Sequence, residues 1–180
     1  MSLKGKTILI GVTGGIAAFR VCELIRQFRE KNAVTKVIMT RHAKEFITPL
    51  TLEALSGNRV FSDGFELGIY SDPLHTHLAK EADLLLVCPA SADVLAKMAH
   101  GLADDLLTTV YLATQAKVCV VPAMNNHMFR HPATQDNLLR LRERGVTIVE
   151  PVSGKLVCGD TDMGHIAPDE EILKAVEQIL

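Results

Sequence analysis

Short apolar runs alternate with longer amphipathic segments along this chain, and that rhythm limits the possible folds more than any other feature. The runs cover residues 7–12, 34–40, 84–89, 118–122 and 146–149. They are rich in Val, Ile and Leu with little polar alternation, as strands buried on both faces are. Between them lie helical patterns. In the first, Ile16, Phe19, Leu24, Ile25 and Phe28 recur at helical spacing. The last follows Pro168 and places Ile172, Ala175, Val176 and Ile179 on one face. Asp169, Glu170 and Glu171 occupy its first turn, where the helix dipole favours acids. This alternation predicts an α/β fold, a parallel sheet with helices on both sides.

The 180 residues suit one domain. Hydrophobic residues make up 48% and charged residues 22%, ordinary for a globular chain. The net charge of −2 and the lack of a long basic run argue against nucleic acid or an anionic membrane as partner. No apolar stretch approaches the roughly 18 residues that span a bilayer. Glycines interrupt the N-terminal apolar run where a signal peptide would continue, so a cytoplasmic protein is expected. Cys22 lies in an amphipathic stretch and Cys88 and Cys119 in apolar runs, whereas Cys158 stands in a glycine-flanked loop. Without a CxxC pair, neither a zinc site nor a disulfide framework is expected.

Parallel sheets bind ligands outside the carboxyl ends of their strands. The unusual residues here fall at those ends: Gly14 and Gly15, then Thr40, then Ser91, then Ala123 to Asn125. The turn from Gly11 to Ala18 follows a strand and opens a helix. Its glycines admit close backbone approach, and the helix start offers N–H groups to a phosphate. It also reads as a tight strand–helix turn. It is not GxGxxG, and the second strand ends in Thr40-Arg41-His42 rather than in the acid that grips the ribose of NAD. Ser91 is a candidate helix cap, a role compatible with ligand contact.

His75 and His77 are two apart and do not share a helix face. Pro132 disfavours helix at His131, four residues after His127. No metal site is expected from either pair. Asn125 follows a buried strand that ends in proline. It suits either an Asx turn or a substrate contact. Residues 62–73 and 151–168 read as loops, and the second is long enough to suggest function. Cys158 within it is either an idle thiol or a used one.

Five segments together resemble the flavin-dependent cysteine decarboxylases, above all the branch that serves coenzyme A biosynthesis. They are Gly14-Gly15-Ile16, His75-Thr-His-Leu78, the run from Pro89 through Asp93 to Thr109, Pro122-Ala-Met-Asn125 and Cys158-Gly159-Asp160. The likeness covers nearly the whole chain, in order. It implies a Rossmann-like (flavodoxin-like) three-layer sandwich and a single FMN-binding domain over residues 1–180. It implies a homo-oligomer, a trimer or a dodecamer built of trimers, with sites shared between protomers. Gly14, Gly15 and Ile16 would meet the flavin phosphate region. Thr40, Arg41, His42, Ser91, Ala92, Asp93, Val94 and Ala123 would line the FMN. His75 would be the catalytic base, and Asn125 would bind the substrate carboxylate. Lys155, Leu156 and Val157 would form a lid over it, and Cys158 would donate a late proton.

The implied reaction converts phosphopantothenoylcysteine to phosphopantetheine through thioaldehyde and enethiol intermediates. Three positions depart from the family's pattern: Asp93 stands where Asn is common, Phe129 where Trp is common and Ile166 where Met is usual. The chain also ends at Leu180 without the synthetase half that many bacterial relatives carry. Rival readings are a peptidyl-cysteine decarboxylase of lantibiotic maturation, a flavin prenyltransferase and a flavin-binding regulatory subunit of a phosphatase. The Cys158 loop favours the coenzyme A reading, Asn125 opposes the prenyltransferase, and His75, Asn125 and Cys158 together oppose the regulatory subunit.

Overall fold

Five of the six strands of the main sheet fall on the apolar runs, because a strand apolar on both faces is stable only between two helical layers. The structure is a computed structural model that describes residues 3–62, 73–155 and 161–180. β1 (Thr7–Val12) leads through a 3-10 turn (Ile16–Arg20) into α1 (Val21–Glu30). β2 (Val34–Met39) is followed by a second 3-10 turn (His42–Glu45) and by α2 (Pro49–Ser56). β3 (Val60–Phe61), α3 (Leu74–Glu81), β4 (Leu84–Ala90), α4 (Ala92–His100) and α5 (Leu106–Ala113) come next. β5 (Lys117–Pro122), α6 (Asn126–Arg130), α7 (Pro132–Glu143) and β6 (Thr147–Ile148) complete the sheet. An antiparallel hairpin of β7 (Val152–Lys155) and β8 (Thr161–His165) precedes α8 (Asp169–Ile179).

The sheet is parallel with strand order β3-β2-β1-β4-β5-β6. Without the two-residue edge strand β3 this is the flavodoxin-like order, and the order reverses between β1 and β4. Side chains alternate across the sheet. Ile8, Ile10 and Val12 of β1 join Leu84, Leu86 and Cys88 of β4 under α1, α2 and α8. Leu9, Leu85 and Val87 face the other way, under α3, α4, α5 and α7. Both edge strands are only two residues long, which limits edge-to-edge pairing.

Two expectations change. Residues 151–168 read as a loop, yet 152–155 and 161–165 are the two strands of the β7–β8 hairpin. Its strands lack a period-two apolar pattern because they form a separate two-stranded sheet. Ile16 and Phe19 read as part of one apolar helix face, yet they are 56% and 58% exposed. The 3-10 turn winds three residues per turn rather than 3.6, so it shifts the phase of the pattern and turns both side chains away from the core.

The ends of β1 and β4 are tied by one buried hydroxyl. Thr13 Oγ1 donates to the Pro89 carbonyl at 2.6 Å and accepts the Ser91 N–H at 2.9 Å. Thr13→Val keeps the shape but leaves both backbone groups without this partner. A buried group so orphaned costs about 1–3 kcal/mol. Urea denaturation of Thr13→Val should show a lowered midpoint with an unchanged slope, and Thr13→Ser should recover most of the loss.

Candidate functional site

At the sheet's switch point, β1 sends its chain to one helical layer and β4 to the other, and the structure opens a cleft of about 540 Å³ there. Its volume falls within the range of small-molecule sites. Of the residues expected from the sequence, Gly14, Gly15, Ile16, Ser91, Ala92, Ala123 and Asn125 line it. They come from the ends of three neighbouring strands, β1, β4 and β5.

The two glycines do different work. A Cβ on Gly14 would lie 2.5 Å from the Cβ of His42, so this glycine lets the end of β2 pack against the turn. A Cβ on Gly15 would meet nothing within 4 Å. Gly15 therefore presents bare backbone to the cleft, at the start of a helical segment whose first N–H groups lack intrahelical partners. Ser91 is the N-cap of α4, accepting the Val94 N–H at 3.4 Å. It lines the cleft as well, so the cap stands in the cleft wall.

Asn125 takes the turn reading and also stands at the cleft. It caps α6, with Oδ1 accepting the His127 N–H at 2.9 Å, and it borders the cleft. That bond fixes the amide's orientation. The neighbouring Met124 N–H donates to the Gly164 carbonyl at 3.1 Å, which seats β8 on this segment. Gly164 has φ of 129°, and a Cβ there would lie 2.3 Å from the Met124 carbonyl oxygen. Only glycine fits the contact.

Other expected residues stand behind or beside the cleft rather than in its wall. Thr40 is buried. Its N–H donates to the Val12 carbonyl, and its hydroxyl accepts the Ala43 N–H at 3.3 Å. Arg41 is exposed, and His42 packs on Gly14. Val94 is buried, and the Asp93 carboxylate turns to Lys97 at 3.3 Å. His75 lies in the first turn of α3 and is not among the cleft's residues. Lys155 ends β7, where it pairs with Thr161. Leu156, Val157 and Cys158 lie outside the described residues.

Sequence reasoning overlooked Arg20, Met128, Gly164, His165 and Ile166 as wall residues, and it placed Phe19 in the core. Ile16, Phe19 and Met128 are large, exposed and apolar, and together they give the cleft a greasy wall. Arg20 pairs with Asp169 at 2.6 Å, which ties the start of α8 to the cleft. A cation one turn after a glycine turn was the available signal for it. His131 serves as the N-cap of α7, its Nδ1 accepting the Ala133 N–H at 3.2 Å. Among the described residues no cluster of three His, Cys, Asp or Glu could hold a metal ion.

A flavin mononucleotide needs a planar apolar slot beside a phosphate-binding turn. The exposed apolar wall, the bare backbone at Gly15 and the capped start of α4 meet both needs.

A family model described as Flavoprotein matches residues 1–180. The chain is 45% identical over 177 residues to the coenzyme A biosynthesis bifunctional protein CoaBC of Vibrio vulnificus strain YJ016, covering 98% of this chain and 44% of that protein. It is 47% identical over 166 residues to CoaBC of Escherichia coli K12, covering 92% and 41%. The chain thus spans less than half the length of these curated relatives. Among solved structures it is similar to the FMN-dependent cysteine decarboxylase SpaF, with a TM-score of 0.87, 32% identity and coverage of 98% and 96%. It is also similar to a PPC decarboxylase mutant complexed with pantothenoylaminoethenethiol, with a TM-score of 0.86, 30% identity and coverage of 97% and 98%. The FMN-binding protein AtHal3 matches with a TM-score of 0.83, 31% identity and coverage of 97% and 96%. These likenesses run nearly the whole length of the chain, and by them it belongs to the flavoprotein family.

Proposed function

We propose that this chain is one FMN-binding domain that decarboxylates phosphopantothenoylcysteine to phosphopantetheine, in the cytoplasm, for coenzyme A biosynthesis. The observation that carries this reading is a single cleft. In it the open glycine turn, the Ser91 cap and the fixed Asn125 amide converge against an apolar wall. The kinship with CoaBC proteins and with a PPC decarboxylase supports the choice of substrate.

When bound, FMN supplies a hydride acceptor that turns the substrate thiol into an electron sink for decarboxylation and then returns the hydride. The chain's own residues bind, orient and move protons. Gly14, Gly15 and Ile16 hold the phosphate end. Ser91, Ala92 and Ala123 flank the ring system, while Thr40, Arg41, His42, Asp93 and Val94 support that wall from behind. Asn125 Oδ1 is committed to its turn, so the amide N–H side is the part that suits the substrate carboxylate. His75 takes the thiol proton. Its place outside the cleft of its own chain fits a homotrimer in which it serves a neighbour's cleft. Lys155, Leu156 and Val157 cover the substrate, and Cys158 returns a proton to carbon. Burial holds the other thiols protonated: it pushes Cys119 up to about 12 and raises Cys88 and Cys22.

One rival, decarboxylation of a peptide's C-terminal cysteine, shares the FMN-dependent cysteine-decarboxylase chemistry that the SpaF likeness supports. Anaerobic mixing of the yellow protein with phosphopantothenoylcysteine separates the two. Flavin bleaching and recovery, with a product two hydrogens heavier than the enethiol, supports the coenzyme A reading. A protein that ignores this substrate or releases the enethiol supports the peptide reading. A protein that takes up no FMN overturns both. Cys158→Ser should stop at the enethiol, read by product mass.

The glycines give a further expectation. Gly14→Ala should lower thermal stability through its clash with His42. Gly15→Ala should fold normally but bind FMN about tenfold more weakly, one hydrogen-bonded contact's worth, read by fluorescence titration. Asn125→Asp should retain FMN yet lose more than tenfold in kcat/KM, because it sets a like charge beside the carboxylate.

A further inference from the structure

His165 is the last residue of β8 and lines the cleft, yet none of the roles assigned above uses it. Its ring is held on two sides. Nδ1 lies 3.2 Å from the Ile166 carbonyl. A carbonyl only accepts, so Nδ1 carries the proton in that contact, and Nε2 of the neutral ring is then an acceptor. Across the hairpin, a Cβ on Gly154 would stand 2.7 Å from the Cδ2 of His165 and 3.1 Å from its Cγ. A side chain at position 154 would collide with the ring, so glycine there lets the imidazole lie against β7. With Nδ1 on the backbone and Cδ2 and Cγ against β7, Cε1 and Nε2 are the ring atoms left for the cleft that His165 lines.

His165 also has a defined neighbour. The preceding residue, Gly164, seats on the Met124–Asn125 segment through its carbonyl, and a Cβ there would lie 3.5 Å from the carbonyl carbon of Asn125. His165 follows directly on that seated glycine, and its side chain and Asn125 line the same cleft. In an N-acylcysteine the carboxylate carbon and the amide nitrogen are both bonded to Cα. A protein group that reads the amide N–H must stand next to the group that reads the carboxylate. We propose that His165 is a specificity-determining residue whose Nε2 accepts the substrate's amide N–H, so that the cleft selects N-acylated cysteine. This deepens the decarboxylase reading and rests on it, and it holds for a small-molecule or a peptide substrate alike, since both carry that N–H.

The test is equilibrium binding to the FMN-loaded protein. The ligands are S-methyl phosphopantothenoylcysteine, whose thioether has no thiol proton to lose, and its ester counterpart, in which oxygen replaces the amide N–H. The native protein should bind the amide about tenfold more tightly than the ester, one neutral hydrogen bond's worth. His165→Phe keeps a flat ring over Gly154 without the acceptor and should bind both ligands equally. His165→Gln restores an acceptor and should recover part of the preference. The visible flavin spectrum reports that each variant remains folded and loaded. Equal binding of the two ligands by the native protein overturns the inference alone, as does an undiminished preference in both His165→Phe and an alanine variant. A native protein that binds neither ligand overturns the substrate reading, and this inference with it.

Discussion

Everything in the cleft depends on β1 and β4 being neighbours whose chains leave for opposite faces of the sheet. α1 packs Val21, Leu24, Ile25 and Phe28 on one layer, and α4 packs Val94, Leu95, Met98 and Ala99 on the other. Two adjacent strands that part in this way cannot close the space between their ends, so a crevice is a necessity of the topology. What the sequence adds is a brace. The Thr13 hydroxyl satisfies both the Pro89 carbonyl and the Ser91 N–H, which stops the two strand ends from splaying. The brace sits directly under Gly14 and Ser91, so one buried oxygen sets the spacing between the phosphate-competent turn and the cap of α4.

The sheet was legible because its strands are buried on both faces. Nothing polar could be tolerated on either side of Leu84 to Cys88, and the run declares itself. The hairpin was not legible, because β7 and β8 pair only with each other and need no apolar alternation. The helix face drawn through Ile16 and Phe19 failed for a related reason. Periodicity reports a face only while the helical pitch holds, and the 3-10 turn breaks it just where the chain must present apolar groups outward to the cleft. The conflict between pattern and exposure is itself the mark of the site.

For the strand ends, the sequence located the cleft but not the distribution of work within it. Gly14 and Gly15 look alike in sequence, yet only Gly15 faces open space. Thr40 and Val94 lie near the cleft in sequence but are buried, and the Asp93 carboxylate turns to Lys97 instead. A contact that jumps from residue 164 to residue 124 leaves no local trace, so the wall contributed by β8 was invisible until the hairpin was placed.

The electrostatics of the cleft suit the proposed reaction, in which the ligand changes charge. Its arginine, Arg20, is already compensated by Asp169, both side chains being largely withdrawn from water. Among the described residues, the rest of the wall on this side is the Asn125 amide, the Ser91 hydroxyl, the His165 ring, backbone and the greasy surface of Met128. A free guanidinium there would grip a carboxylate in the ground state and oppose its departure as neutral carbon dioxide. A neutral amide holds the same group less tightly and loses less when the charge moves away. The Asx turn that fixes Asn125 then prepays, in the proposed reaction, the cost of orienting a weak donor. In the proposed reaction the weakness of that contact is what makes it useful, and the rigidity of the segment beneath it is what makes the weakness tolerable.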